Sequence, residues 1–485
     1  MLRRIFIVGG SGALAAVALG IVQIRVGSIF GTGPELDAFF VGAALPAVLL
    51  AVSAGAIFSI VIPRLPDGPG AAAAAGRFAA LAALAGSLVA AAVALIATPI
   101  VHIIAPGLDE SASREAVAVL RIYAITIPPT SVAFVFSGYA YSIDRSYVAG
   151  ASNTLYGLTW FALLFIPTFT DNVQGITVAG VLATIVQVVS AFVLASPRGA
   201  EPWPTARKLR ISRASIMGAA TVLGATLVGR LTLLLDPLFG SMLPPGSISQ
   251  LTYASRIMLL AVFVSGQGAA FSLLVVGRRR DDRADADVRI GVVVPLLLSL
   301  GAAVVFAICG PGIAQMLLAR GELTIADAQQ IGDLMQIYAP SICAITVIWA
   351  LEAVLYASKR ASEVLIRVLA GLLVNAVASA AFVALLGEAG RPVGVFIGVS
   401  TQLILLLVLL SDDVRVGVLH EPRTRRYGVW LLIATSAVTA AVYLLGSELI
   451  SASAAGVVAT LAAASVTLTF VIHYGQGTAT LRPAT

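Results

Sequence analysis

Long apolar runs, broken by short polar clusters, fill this chain almost from end to end. The runs are continuous rather than alternating. They therefore read as helices and not as barrel strands, because a backbone in lipid must satisfy its hydrogen bonds within the segment. A hydrocarbon core of about 30 Å needs roughly 20 apolar residues per helix. A window of that length places about fourteen spans, near 5–29, 36–63, 77–104, 113–141, 147–169, 173–195, 214–240, 247–277, 289–308, 325–357, 362–386, 392–411, 427–447 and 449–473. The second and tenth runs exceed the thickness of the core and are expected to tilt or to carry an interfacial turn.

Composition agrees. Of 485 residues 59% are hydrophobic and 11% charged, with a mean hydropathy of +0.99, where a soluble domain carries about 25% charged residues. A soluble domain, a disordered chain and a secreted disulfide scaffold are all excluded. The two cysteines, Cys309 and Cys343, lie in apolar stretches and give neither a disulfide framework nor metal-finger spacing.

Charge then sets the topology. Of the 30 basic residues, 28 are arginine, and 22 of the 30 fall on one side if the chain starts inside. The opposite loops hold only Arg114, Arg320 and Arg391. An excess of this kind marks the cytoplasmic side, so a multi-pass cytoplasmic-membrane protein with both termini inside is expected. Met1-Leu2-Arg3-Arg4 before an apolar run also fits a signal peptide, but the first run has a counterpart later in the chain, which favours a span.

That counterpart belongs to an internal duplication. Gly55-Ala56-Ile57-Phe58-Ser59 matches Gly268-Ala269-Ala270-Phe271-Ser272, and Ile122-Tyr123-Ala124 recurs as Ile337-Tyr338-Ala339. Tyr141-Ser142 parallels Tyr356-Ala357, and Phe30-Gly31 parallels Phe239-Gly240. The offsets run from 209 to 215 residues, in order, and cover six spans. An even number of spans makes the repeats parallel, related by an axis along the membrane normal. The expected architecture is all-α: a six-helix bundle over 1–196, a basic cytoplasmic linker at 197–213, and a second six-helix bundle over 214–415. Two extra helices and a short tail follow over 416–485.

Five arginines remain inside spans: Arg25, Arg121, Arg230, Arg256 and Arg367. A charge in a span is costly and usually faces a cavity or a partner. Arg256 shares one helical face with Ser249, Thr252 and Tyr253, and that face is expected to look into a cleft between the bundles. Arg230 has Thr226 one turn earlier and Asp236 further along the same run. Arg25 and Gln23 lie near the outer end of the first span, with Glu35 and Asp37 opening the second. These charges equally fit interfacial snorkelling and helix-end placement. Arg121 and Arg367 read as inter-helix ties or interface residues. A guanidinium fork suits phosphate, so the pattern points to an anionic, phosphorylated cargo.

Soluble chemistry finds no support. His102, His420 and His473 are far apart and form no metal set, and no phosphate-binding loop or nucleophile elbow is present. The mixed-sign segment 278–287 reads as a solvated loop. No enzyme activity, cofactor or nucleic-acid partner is expected, and a monomer is expected to suffice. Energy would come from a coupling ion, the membrane potential or downhill cargo flux.

Phe30-Gly31, Asp37-Ala38-Phe39-Phe40, Leu45-Pro46, Gly55-Ala56-Ile57-Phe58 and Pro63 together resemble the opening of the MurJ/MviN lipid II flippases. The second half agrees through Gly246-Ser247-Ile248-Ser249, Tyr253-Ala254-Ser255-Arg256 and Arg320-Gly321 before Tyr338. That resemblance covers essentially the whole chain. It implies a two-lobed, inverted-V fold of the multidrug/oligosaccharidyl-lipid/polysaccharide exporter superfamily that flips an undecaprenyl-linked cell-wall precursor. Arg256, Arg25 and Arg230 would then bind the diphosphate, and Asp37 would orient an arginine or couple to ions. The family places arginines around the Leu-Gly step of helix one and soon after the Leu-Pro step. Here Leu19-Gly20 and Leu45-Pro46 have apolar neighbours or Gln23 instead, so the clamp is thinned. The alternatives are an ion-coupled exporter of small cations, a polysaccharide-unit flippase of a side pathway, and a non-transporting envelope scaffold.

Overall fold

The computed structural model describes residues 2–60, 65, 70–143, 145–196, 213–267, 282–357 and 360–413. All but the last residue of the expected linker, the repeat copy at 268–272 and the two spans expected after 416 lie outside these residues. Among the described residues the regular structure is helical throughout.

In the first half, α1 (Leu2–Phe30) and α2 (Pro34–Ile60) are followed by α3 (Gly70–Leu95) and the short α4 (Ala97–Ile104). Then come α5 (Glu110–Ala124), α6 (Ile127–Ser142), α7 (Val148–Leu163) and α8 (Val173–Ala195). The second half opens with α9 (Arg213–Arg230), a 3-10 turn at Leu231–Leu234 and α10 (Leu235–Gly240). It continues with α11 (Ser247–Val262), which runs into a π-turn at Phe263–Gln267, then α12 (Asp282–Leu318) and α13 (Ile325–Ala357). The last described helices are α14 (Ala361–Leu386) and α15 (Gly390–Asp413).

Each of the first twelve apolar runs is largely helical over its described residues. Among the described residues ten stretches are long and apolar enough to cross a membrane, and one of them, Ala361–Leu409, holds both α14 and α15. The 16-residue α7 falls below that length by itself. Proline explains where one long run divides: Pro128 and Pro129 follow the break between α5 and α6 at Ile125–Thr126. At an offset of 215 residues Ile125 corresponds to Pro340, which sits inside the unbroken α13. A proline removes one main-chain donor and crowds the preceding turn. One repeat breaks there, while the other keeps its proline within a continuous helix.

Two compact units emerge. One comprises Phe6–Tyr253 with Leu317–Asp327. The other holds Ala254–Met316, the described residues from Ala328 onward and the first few residues of α1. The division falls within α11, because α9 packs along α2 and joins the first unit. There a Cβ on Gly55 would lie 2.9 Å from the Thr226 methyl.

Within the first unit α2 packs on α5, α3 on α6, and α8 on α6 and α7. Lipid gives helices no hydrophobic reason to associate, so small side chains that let backbones approach closely carry the packing. Ala71, Ala75 and Ala79 of α3 accordingly meet Ala133, Phe136 and Ala140 of α6 in one core. Between α2 and α5, a Cβ on Gly42 would sit 2.6 Å from the Ala116 carbonyl oxygen. The opposite face of α3 carries Leu81, Leu84 and Leu88 at 54–65% exposure, an apolar stripe suited to hydrocarbon.

In the second unit α14 and α15 are joined by the turn Gly387–Ala389, so they pack antiparallel. Gly390, Gly394 and Gly398 of α15 lie against Phe382, Ser379 and Asn375 of α14. Arg391 enters this seam, 1% exposed, and its Nη1 donates to Asn375 Oδ1 at 2.7 Å and Ser379 Oγ at 2.9 Å. The expectation that Arg391 belongs to an outer loop is thereby corrected. The connecting turn is so short that Arg391 already lies in the first turn of α15.

A leucine at Gly394 would overlap Ser379, and overpacking of this kind costs about 1–3 kcal/mol. Gly394→Leu is therefore expected to lower the apparent melting temperature of the detergent-solubilised protein. An unchanged melting temperature would contradict the close α14–α15 seam.

Candidate functional site

The candidate residues are set by what happens where α1 ends. Gly31 takes a positive φ of 65° to end that helix, and Pro34 opens α2 at a position where its missing N–H costs nothing. This puts Asp37 in the first turn of α2, 3% exposed. Across from it lies the start of α11, preceded by Gly246 at φ 95°.

Asp37 Oδ2 accepts from the Gly246 amide at 2.6 Å, and Oδ1 accepts from the Ser249 amide at 2.7 Å and from the Ser249 hydroxyl. A helix start leaves its first amides without partners inside the helix, and a capping side chain commonly satisfies one of them. Gly246 has no side chain to do so. Asp37, supplied by another helix 209 residues away, caps α11 instead. Its negative charge also sits at the positive end of that helix.

The remaining candidates separate into two groups. Tyr253 is 1% exposed; its hydroxyl donates to the Gln23 main-chain carbonyl at 3.3 Å, and its ring meets Phe40 edge-on with centroids 5.4 Å apart. Thr252 is buried as well. The face expected to look into a cleft is thus packed over Ser249, Thr252 and Tyr253, with the Ser249 and Tyr253 contacts going to α1 and α2. Arg256, one turn further along α11, is half-buried. Arg230 is the half-buried last residue of α9, just before the 3-10 turn.

Arg25 turns elsewhere. Its guanidinium carbon stands 4.9 Å from the ring centroid of Phe165, a residue 60% exposed, and its Nη1 reaches Ser28 Oγ at 3.5 Å. That is a cation–π contact at the protein surface. Among the candidate residues, the structure brings Asp37 to Ser249 and Gln23 to Tyr253, whereas Arg25 is directed to Phe165. Arg121 ties α5 to α3 through the Ala94 carbonyl at 3.3 Å, and Arg367 donates within its own helix to the Glu363 carbonyl at 3.0 Å.

Sequence reasoning missed two polar centres. One is Arg391 with Asn375 and Ser379, signalled only by the four-residue spacing of Gly390, Gly394 and Gly398. The other is Asp327, which accepts from Thr32 Oγ1 at 2.8 Å and from the Thr324 hydroxyl at 2.6 Å. Its signal was the capping spacing of Thr324 and Asp327 ahead of an apolar run. Among the described residues no group of histidine, cysteine and carboxylate side chains is arranged to hold a metal ion.

These features define a polytopic helical membrane protein built on close small-residue packing, with arginines inside its spans. Its fold is similar to that of a solved lipid II flippase MurJ in an inward closed conformation, at TM-score 0.67 and 16% identity, over 97% of this chain and 98% of that one. It is also similar to an inward-facing multidrug-resistance MATE transporter of the MOP superfamily (TM-score 0.64, 17% identity, 85% of this chain and 96% of that one). A mutant of the Vibrio cholerae MATE transporter VcmN is comparable, at TM-score 0.64 and 15% identity, over 86% of this chain and 98% of that one. No curated protein sequence matches. The family model for lipid II flippase MurJ matches residues 26–467, and the chain belongs to that family.

Replacing Asp37 by alanine strands two buried amides and a hydroxyl, and loss of a cap costs about 0.5–2 kcal/mol. Ser249→Ala removes only one of three donors. Thermal denaturation of the purified variants is expected to rank wild type above Ser249→Ala above Asp37→Ala. Equal stability of the two variants would refute the capping role of Asp37.

Proposed function

We propose that this protein carries an undecaprenyl-diphosphate-linked cell-wall precursor, lipid II or a related lipid-linked saccharide, across the cytoplasmic membrane by alternating access. The observation that carries this reading is the family match over residues 26–467. A transporter of this family needs a cationic grip on a diphosphate inside an apolar span. Arg256 is the residue proposed to supply it, because it is half-buried in the middle of α11. Its planar fork can give two parallel charge-assisted hydrogen bonds to phosphate oxygens.

Arg230 and Arg25 are the further cationic candidates. In this reading Arg25, stacked on the exposed Phe165, acts where the head group meets the membrane surface. Asp37 acts by holding the start of α11, and so sets the register of Arg256 two to three turns further on. Ser249, Thr252, Tyr253 and Gln23 support the same helix from its packed side. Driving energy is assigned to a coupling ion or the membrane potential, with membrane lipids as the surrounding partners and both termini in the cytoplasm.

The test is reconstitution in liposomes with fluorescent lipid II and, separately, with another undecaprenyl-diphosphate saccharide. A hydrogen bond to a charged group contributes about 1.5–3 kcal/mol, so Arg256→Ala is expected to slow flipping at least about tenfold while still reaching the membrane. Arg256→Lys, a point charge without the fork, should retain part of the rate. Normal flipping by Arg256→Ala would overturn the role of that residue. Passage of small cations with neither lipid crossing would replace the reading by an ion-coupled exporter, and failure of all three would leave a scaffold.

A further inference from the structure

Two loops grip the ends of α1 and α10 in the same manner. In the loop between α12 and α13, Glu322 donates its amide to the Ser28 carbonyl at 3.1 Å, and Thr32 Oγ1 donates to Asp327 at 2.8 Å. Gly321, at φ 61°, lies so close that a Cβ there would overlap the Ser28 carbonyl oxygen. Gly31 answers from the other side: a Cβ on it would come 2.8 Å from the Glu322 carbonyl oxygen. In the loop between α4 and α5, the Gly107 amide donates to Ser241 Oγ at 3.3 Å, and a Cβ on Gly107 would overlap the Ser241 carbonyl oxygen.

The close approaches of Gly107 to Ser241 and of Gly321 to Ser28 fall at equivalent positions. Gly107 and Gly321 differ by 214 positions, and Ser28 and Ser241 by 213, the spacing of the internal duplication. The loop of each repeat therefore grips the end of the first span of the other repeat. Asp109 and Thr324, which cap the helices that follow, are also equivalent at a spacing of 215.

The grip is narrow. Leu323 alone of residues 321–326 is buried, at 2% exposure, and its Cδ1 would lie 3.1 Å from a Cβ on Gly27, beside the Tyr253 hydroxyl. The rest of the hold includes the main-chain bond from Glu322 to Ser28 and the side-chain bond from Thr32 to Asp327. Helix pairs packed along their length cannot part at small cost, but a loop held by one apolar side chain and a few hydrogen bonds can be displaced by differential cargo binding.

We propose that residues 105–109 and 319–327 are a reciprocal pair of straps that hold the two repeats together at this end, and that both must release for cargo to leave there. This inference rests on the transport reading above and adds to it which segments control exit.

Two experiments test it. With Cys309 and Cys343 replaced by alanine, Thr32→Cys and Asp327→Cys are joined by oxidation or a short bismaleimide. The joined protein is expected to flip lipid at least tenfold more slowly than its reduced form, with recovery on adding a reductant to the disulfide. An unchanged rate would overturn the proposal. The second needs no transport: Leu323→Cys is labelled by a maleimide in purified, detergent-solubilised protein. If the straps act as a pair, loosening the other one with Gly107→Val, or more mildly with Ser241→Ala, raises labelling of Leu323→Cys severalfold. Labelling unchanged in both backgrounds refutes the coupling. If no lipid crosses even in the reduced protein, the flippase reading fails, and the labelling result still decides the strap.

Discussion

One buried carboxylate organises the start of the second repeat. Asp37 accepts from the amides of Gly246 and Ser249 and from the Ser249 hydroxyl, at a helix start whose preceding residue, Gly246, has no side chain. In lipid an unsatisfied amide cannot fall back on water. The helix carrying Arg256 therefore depends on an anion supplied from α2. Moving that anion would move the helix, and with it the face on which Ser249 and Tyr253 sit.

The rest of the packing follows from the same solvent. Since apolar surface gains nothing by leaving lipid tails for other apolar surface, contacts between helices rest on close approach and on polar groups that find partners. The alanines of α3 against α6, and the glycines of α15 against Asn375 and Ser379, supply the first. Arg391 in the α14–α15 seam supplies the second. A chain so poor in charge still commits some of it to structure: Arg121 to the Ala94 carbonyl, Arg391 to Asn375, Asp37 to α11.

The two repeats make equivalent contacts with unequal means. At the end of the first spans the strap pairs Gly107 with Ser241 and Gly321 with Ser28, but one grip uses a side-chain hydroxyl and the other a main-chain carbonyl. The long run through Tyr123 breaks just after it into α5 and α6, whereas its counterpart through Tyr338 stays whole around Pro340. Positions about 214 residues apart thus carry contacts in the same places, and each satisfies its own backbone in its own way.

Hydropathy was enough for the helical membrane class and for where the described helices fall, and short motifs were enough for the family. Each depends on properties that a residue carries wherever it sits. The fate of individual polar residues was not legible in that way. Arg25 reads as an arginine inside a span and Arg391 as one in a loop, yet the first lies over an exposed phenylalanine and the second is sealed between two helices. Asp37 looked like a charge at a helix end, and only the tertiary structure revealed that the helix end it serves is a different one. The reason is physical: a hydrogen bond's worth depends on the partner, and here the partner is a main-chain amide two hundred residues away that every sequence contains. Residence in the membrane could be read from composition; the burial and pairing of each polar group had to be built by the fold.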